Sequence, residues 1–388
     1  MLSVFTTSWR NGAMLAVLLL TAAPAYAGPL YTQTNLVSNV AGFAAITDPQ
    51  LVNPWGFSHN ATSPFWISNQ GSNNSTLYSV TGPTSVSKVN INPPSGFVAI
   101  PTTAGGPQGP TGQVSNTNLS SFPVGSGGNG NRANFIFANL NGTISAWNTG
   151  ATAFIQATVP GAVFTGLAVN QAQTQLYAAN SAGVGGIQVF NSAFTPVSLG
   201  GSAFATPAAI AALGLVTFNV QDIGGSVYVT YAPMGRAAQI AATGGMGAVA
   251  VFDESGNLVR TIISSELASP WGIAIAPSGF GPFANDLLVG NFSFVESEIN
   301  AFDLITGAFL GSIPIDTGSN TAGGLWSIGF GTGGGNGDPN TLYFTDGING
   351  ERDGLFGAIT VPEPLTISLF GAGLVGAIAS RRRKAKSA

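Results

Sequence analysis

Four side chains have the chemistry to hold a hard cation: Asp222, Asp346, Asn349 and Asp353. The last three belong to a nine-residue segment, ending at Gly354, that contains three acids, one asparagine and three glycines. Carboxylate and amide oxygens are the ligands that Ca²⁺ prefers, but the spacing is not that of an EF-hand. The segment is either a calcium-binding loop or a solvated hairpin, and its composition favours the hairpin. Ca²⁺ is the one cofactor that the sequence leaves open; otherwise none is predicted.

Short triplets with apolar residues recur along the chain and must belong to the elements that position these side chains. They are Trp55-Gly56-Phe57, Thr111-Gly112-Gln113, Thr165-Gly166-Leu167, Phe218-Asn219-Val220, Trp271-Gly272-Ile273 and Trp326-Ser327-Ile328. Their middle residues are 56, 54, 53, 53 and 55 positions apart. A nearly constant period of this length, with several strands in each unit, is typical of a propeller. The sequence therefore predicts an all-β fold, a six-bladed β-propeller, as a single domain over residues 28–360.

Each triplet is followed by two strand-like runs joined by a turn, usually glycine-rich, which predicts a β-hairpin. In these hairpins Ile187–Asn191 and Val249–Asp253 resemble the I-x-V-F-D strand of NHL-type blades. The mature chain also resembles a family of exported bacterial propellers, in segments such as 53–56, 269–272 and 338–344. This resemblance implies the fold and export, and it implies no molecular activity.

The ring of blades must be closed without leaving an exposed strand edge. The run from Tyr31 to Val37 has no unit of its own. We predict that it supplies the outer strand of the last blade.

The second strand of each unit ends in a polar residue. These residues are Asn69, Asn139, Asn180, Tyr231, Asn291 and Asp346. They form either a ring of oxygen ligands or a set of turn residues that bond their own backbone, and the distance of second strands from the axis favours the turns. Trp55, Trp271 and Trp326 occupy another equivalent position. Core packing is the favoured interpretation, with stacking against carbohydrate as the alternative.

The sequence contains few candidate catalytic residues. Six-bladed lactonases hold Ca²⁺ near the axis with carboxylate and amide ligands, and here Asn53, Asn219 and Asp222 could contribute. A matching glutamate and a catalytic histidine are not evident. The single histidine, His59, follows a predicted inner strand and is interpreted as a surface loop residue. No G-x-S-x-G elbow precedes a helical pattern. No catalytic residue is predicted, and whether the protein is an enzyme stays open, with a non-enzymatic protein favoured.

The C-terminus combines three features in order. They are the segment Val361, Pro362, Glu363 and Pro364, an apolar run from Leu365 to Ser380, and the basic cluster Arg381, Arg382 and Arg383. The apolar run would reach about 24 Å as a helix, so it could insert transiently in a bilayer with the basic cluster on the cytoplasmic side. Residues 361–388 resemble the PEP-CTERM sorting signal. The resemblance implies an exosortase as the processing protease, removal of the tail, and delivery to the cell surface or extracellular matrix in connection with exopolysaccharide.

The N-terminus has the layout of a secretory signal peptide over residues 1–27. Arg10 is followed by an apolar run of about ten residues and by Ala25-Tyr26-Ala27. Cleavage after Ala27 would make Gly28 the first residue of the mature chain.

The numbers of acidic and basic residues exclude one class of function. The chain has fifteen acidic and eleven basic residues, and once the two predicted signals are removed only five of the basic residues remain. Scattered cations of this kind exclude a nucleic-acid surface. We therefore expect an exported surface or matrix propeller that binds exopolysaccharide or a surface protein. The alternative is a Ca²⁺-dependent, lactonase-like hydrolase that uses the central channel.

Overall fold

Six sheets of antiparallel blade strands account for the six repeats. The computed structural model describes residues 30–183 and 185–362, so both predicted sorting signals lie almost entirely outside the described residues. The inner strands of neighbouring blades contact one another around the whole ring. The predicted all-β, six-bladed propeller is therefore confirmed. Within the described ranges, no helix has the length and apolar character needed to cross a bilayer.

The strands are numbered in chain order. The first two, which join the last blade, are β1 (Thr32–Ser38) and β2 (Ile46–Thr47). Blade one contains β3 (Pro54–Ser58), β4 (Phe65–Asn69), β5 (Asn74–Thr81), β6 (Ser85–Lys88) and β7 (Phe97–Ala99). Blade two contains β8 (Pro110–Ser115), β9 (Phe135–Asn139), β10 (Thr143–Trp147) and β11 (Phe154–Thr158). Blade three contains β12 (Phe164–Val169), β13 (Gln175–Asn180), β14 (Gly186–Asn191) and β15 (Pro196–Val197).

The second half repeats the pattern and adds short helices. Blade four contains β16 (Leu215–Ile223), β17 (Ser226–Pro233), β18 (Ala248–Asp253) and β19 (Leu258–Ile263). Blade five contains β20 (Pro270–Ile275), β21 (Leu287–Asn291), β22 (Glu298–Phe302) and β23 (Phe309–Pro314). Blade six contains β24 (Gly324–Phe330), β25 (Leu342–Gly347) and β26 (Leu355–Thr360). The helices are α1 (Ala208–Ala211), α2 (Arg236–Ile240) and the 3₁₀ turns Gln70–Ser72 and Gly281–Phe283.

The repeated triplet is a β-bulge at the waist of the ring. Each inner strand shifts its register against the second strand at its triplet. A Cβ atom at Gly56 would lie 2.7 Å from the carbonyl oxygen of Thr111, and one at Gly166 would clash with the side chain of Asn219. Glycine at the bulge therefore lets neighbouring inner strands approach closely in the four blades whose triplet has Gly at its middle position.

Side-chain hydrogen bonds connect neighbouring blades near the axis. The hydroxyl of Thr111 donates to the carbonyl of Phe164 at 2.8 Å, which links blade two to blade three. Asn219 Nδ2 donates to the carbonyl of Trp271 at 2.8 Å, which links blade four to blade five. These bonds satisfy inner-strand carbonyls that face the axis and have no further strand beside them.

The N-terminal strand closes the ring, as predicted. β1 pairs antiparallel with β26, with Thr32 opposite Thr360 and Ser38 opposite Leu355. The hydroxyl of Ser38 also donates to the carbonyl of Gly354 at 2.7 Å. The edge of blade six is thus covered by a strand from the other end of the chain.

Candidate functional site

An aromatic cluster blocks the axis at the waist. Trp55 and Trp326 stack with ring centroids 3.5 Å apart, and Trp271 meets Trp326 edge-on at 5.7 Å. Phe218 and Phe292 complete the cluster, and all five side chains are buried. The tryptophans are therefore packed, as their repeated position predicted. The cluster separates two cavities, which we call the end chamber, where the inner strands end, and the start chamber, where they begin.

The end chamber has a volume of about 350 Å³. Its walls are the inner strands from the waist to their last residues and the turns that follow, including Gln171, Asn219, Gln221, Asp222 and Ser327. Asp222 is the only charged residue among the described residues that line it. The described lining of the chamber therefore offers mainly amide and hydroxyl groups, with one acid, the imidazole of His59 at the rim, and no lysine or arginine.

Asp222 is partly tied to its surroundings. Its Oδ1 atom accepts hydrogen bonds from Gln171 Nε2 at 2.5 Å and from the backbone NH of Gly225 at 3.1 Å. Its Oδ2 atom has no hydrogen-bond partner among the described residues. Burial raises the pKa of Asp222, the two hydrogen bonds oppose that rise, and nearby Glu254 adds to it.

His59 stands at the rim of the end chamber with both ring nitrogens engaged. Nε2 lies 3.1 Å from the carbonyl oxygen of Phe330, and Nδ1 lies 3.2 Å from Nδ2 of Asn336. These partners assign the proton to Nε2, because a carbonyl only accepts and the amide NH₂ only donates. Burial lowers the pKa of His59, so the ring is neutral and braces its loop. His59 lies in a loop, as predicted, but it is half-buried and not at the surface, because its ring packs against Phe65 and bonds to the loop of Asn336.

The start chamber has a volume of about 440 Å³ and different walls. Apolar surfaces of Trp55, Leu140 and Val163 line it, together with Arg236 and Glu351. Arg236 is the first residue of α2, and its guanidinium carbon lies 4.1 Å from the ring centroid of Phe292. The charge therefore rests on the aromatic cluster, where a cation–π contact stabilises it.

Glu351 forms the ion pair with Arg236. Its backbone has a φ of +65°, in the left-handed region that glycine favours. The loop that holds it there is braced: Asn349 Nδ2 donates to Asp353 Oδ2 at 2.7 Å, and Asn39 Nδ2 donates to Asp353 Oδ1 at 2.6 Å. The backbone and side chains of this loop are thus arranged to place one carboxylate at the start mouth.

The residues that end the second strands are mostly turn and strand braces. Asn69 and Asn139 donate to polar side chains on the next strand of their own blades, including Thr76 and Ser145. Asn180 accepts two backbone NH groups through its Oδ1 atom.

Asp346 differs from these equivalents. It is fully buried, and neither carboxylate oxygen has a hydrogen-bond partner among the described residues. In its blade, the positions that hold Asn74 and Thr76 in blade one hold Leu355 and Gly357. Burial, followed by the charge of Glu351, raises the pKa of Asp346 to about 7.

The candidate cation ligands do not converge. Asp222 lies at the end mouth, whereas Asp346, Asn349 and Asp353 lie in blade six near the start mouth. Asn349 and Asp353 bond each other in the brace described above. Within residues 30–183 and 185–362, no group of three His, Asp or Glu side chains is placed to hold a metal ion. A Ca²⁺ site at these residues stays a prediction.

Sequence reasoning did not single out Arg236 and Glu351 as a pair. Glu351 was visible only as one acid of a polar turn. A signal for Arg236 was present, because the turn between Tyr231 and Gly247 is much longer than the turns that join the same strands in blades one to three. An insertion in a propeller turn that carries one of only five basic residues of the mature body was a candidate for a special role.

Comparisons with known proteins bear on the ends of the chain and on the fold. The family model of the PEP-CTERM protein-sorting motif matches residues 360–384. Uncharacterized protein R648 of Acanthamoeba polyphaga mimivirus is 29% identical over 340 residues, which covers 84% of this chain and 78% of the relative. The crystal structure of a nidogen/laminin complex contains a chain that is 12% identical, with 70% of this chain and 84% of that chain covered and a TM-score of 0.43.

The sorting motif has direct consequences for the route of the protein. It implies export to the cell envelope, a membrane-anchored intermediate and processing by an exosortase. The described part of the chain ends its last strand at Thr360, where the motif begins. The chain is thus a six-bladed β-propeller that carries a PEP-CTERM protein-sorting motif at its C-terminus.

Proposed function

We propose that the protein is an exported binding module that holds a hydroxyl-rich ligand, the end of an exopolysaccharide chain, in its end chamber. The observation that supports this most is the lining of that chamber with amide and hydroxyl groups on a rigid ring of strands. Sugar hydroxyls both donate and accept hydrogen bonds, and amide side chains can match both roles.

Two side chains in the end chamber are available for such a ligand. Gln221 and Ser327 line the chamber, and their side chains make no hydrogen bonds within the described part of the chain. A volume of about 350 Å³ falls in the range of sites for small molecules. The described lining contains the carboxylate of Asp222 and no lysine or arginine, which favours a neutral sugar over an anionic one.

The sorting motif supports the setting of this proposal. Exosortase processing would remove the tail and deliver the propeller to the cell surface or extracellular matrix, where exopolysaccharide accumulates. A surface protein is the other partner that such a location offers. It would meet the rim of the ring, whereas a chain end of one or two sugars fits inside the chamber.

The test is a glycan array and titration calorimetry with the protein lacking the tail. We expect binding of at least one neutral glycan, and loss of that binding in Gln221→Ala. Gln188→Ala, on the third strand of blade three, is the matched control and should bind normally. Absence of any bound glycan, or equal binding by both variants, would refute the proposal. Turnover of lactones that depends on Ca²⁺ and on Asp222 would favour the hydrolase instead.

A further inference from the structure

Both ends of the folded chain leave the propeller on the same side. β24 and β26 both run antiparallel to β25, so β26 runs in the same direction as the inner strand of its blade and ends on the side of the end chamber. β1 runs antiparallel to β26, with Thr32 opposite Thr360. The chain therefore enters and leaves at the same face, which we call the end face.

The two ends are also held firmly at this face. The ring of Tyr31 stacks near Phe280 and Phe283, with centroids 5.0 and 5.7 Å away, and its hydroxyl donates to the carbonyl of Phe280 at 3.2 Å. A Cβ atom at Gly281 would lie 3.1 Å from the side chain of Val361. The turn between the first and second strands of blade five thus contacts both ends of the folded chain. These contacts hold the chain in place up to the start of the sorting motif.

The tether between the fold and the apolar run of the motif is short. Only residues 361–364 separate the end of β26 from Leu365. Four extended residues span at most about 14 Å. A membrane that holds the apolar run must therefore lie close to the end face.

We infer that the end face lies against the membrane surface while the tail is attached, and that removal of the tail opens the end chamber to ligands. The partner of this face is the headgroup layer of the bilayer that anchors the tail. The start chamber, on the opposite face, is open before and after processing. The orientation is inferred from strand direction and tether length. Only the claim that the end chamber becomes open to ligands rests on the proposed function.

The negative charge of the end face determines whether the propeller stays at the membrane after the tail is removed. The mature body keeps fourteen of the fifteen acids of the chain and five of the eleven basic residues. Turns at the end face carry the acids Glu254, Asp286 and Asp338, besides Asp222 in the chamber, and one arginine, Arg132, in the turn between β8 and β9. An acidic face has no attraction for anionic headgroups, so the tether alone holds it there and the cut releases it.

The chain contains no cysteine, so a cysteine introduced by substitution is labelled at that position alone. Ser278 follows β20 at the end face, and Ser265 precedes the same strand at the opposite face. Both residues are exposed. The experiment places Ser278→Cys and Ser265→Cys separately in the chain that begins at Gly28 and keeps the C-terminal tail. Each variant is reconstituted in vesicles of phosphatidylethanolamine and phosphatidylglycerol, and the rate of labelling with a bulky, membrane-impermeant maleimide is measured with and without the tail.

We expect anchoring to slow labelling at position 278 several-fold relative to protein without the tail, and to leave position 265 unchanged. If anchoring changes the labelling rate equally at the two positions, the orientation is wrong. A chain that does not float with the vesicles would also overturn the proposal. A glycan found by the array should bind the anchored protein less well than the free protein. If no glycan binds at all, the proposed function fails while the labelling result still stands on its own.

Discussion

Glu351 pairs with Arg236 across the start mouth and thereby joins blade six to blade four. Each residue lies in the turn between the second and third strands of its blade, and blade five lies between them. The guanidinium rests on Phe292, a residue of that intervening blade. The pair is therefore a staple that spans three blades next to the edge where the ring is closed.

Removal of Arg236 should destabilise the fold. Arg236→Ala leaves the carboxylate of Glu351 without its partner and close to Asp346, so we expect a loss of about 2 kcal/mol, between the values for exposed and buried ion pairs. Urea denaturation measures it. Arg352→Ala, which removes the neighbouring exposed arginine, is the control and should change little. Equal effects of the two variants would contradict a role for the pair.

Asp346→Asn should stabilise the protein above neutral pH. The substitution is the one that blades one, two, three and five already carry at this position. A buried carboxylate without a hydrogen-bond partner is costly when ionised, and an amide carries no charge. We expect a gain of a few kcal/mol at pH 8 and a smaller change at pH 5, by urea denaturation. Asn139→Asp, in blade two, is the reciprocal variant and should lose stability at pH 8.

The stability of the unmodified protein should fall as pH rises toward 7. The pKa of Asp346 is raised from 3.8 to about 7 in the fold. Between these values the folded state keeps a proton that the unfolded chain releases, so the free energy of unfolding decreases with increasing pH. The contribution is fully present below about pH 4 and is lost above about pH 7. Asp346→Asn should flatten this part of the profile, and an unaltered slope would show that another group is responsible.

Deletion of residues 28–38 should lower the melting temperature sharply. The deletion removes β1, uncovers the edge of β26 and leaves Leu36 and Val37 out of the core that they fill. Deletion of residues 28–30 alone is the control, because it spares the strand. Calorimetry that gives the same melting temperature for both proteins would refute closure of the ring by β1.

Gly166→Ala should destabilise the waist by about 1–3 kcal/mol, as overpacking usually does. The added methyl group would clash with the side chain of Asn219 on the neighbouring inner strand. Gly201→Ala, where no atom lies within 4 Å of the added carbon, is the matched control. Chemical denaturation of both variants compares them directly, and a Gly166 variant as stable as the control would contradict close approach at the bulge.

Processing should depend on the prolines of the motif. Pro362→Ala combined with Pro364→Ala removes the fixed φ angles that keep this segment extended for a protease. We expect uncleaved protein to remain in the inner membrane, detected by mass spectrometry of membrane and extracellular fractions. In the unmodified protein no extracellular peptide should extend beyond Glu363. Normal release of the double variant would argue against recognition of an extended segment.

Sequence periodicity predicted the two central strands of each blade closely, because they are buried and strongly apolar. The predicted strands Ile187–Asn191 and Val249–Asp253 end at the same residues in the structure and begin one residue earlier. The outer strands of blades one to five were not predicted, because a strand at the rim is half-exposed and its sequence pattern is mixed. Leu258–Ile263 exposes most of its residues, and Pro196–Val197 is only two residues long.

The site was less predictable than the fold for a physical reason. Hydrogen-bonding partners in a ring come from different blades, so spacing in the sequence does not reveal them. Arg236 and Glu351 are far apart in the chain, and Asp346 looked like one more turn residue. Its distinction lies in Leu355 and Gly357, the apolar residues that replace the usual partners across the strand pair.

The stacked Trp55 and Trp326 make this propeller a closed disc. A molecule that enters one mouth has no passage to the other and must leave by the way it came. Occupants of the two chambers therefore cannot displace each other by collision, and nothing as large as a sugar can be threaded through the centre. The two chambers are therefore separate compartments that open on opposite faces of the ring, so occupation of one leaves access to the other unchanged.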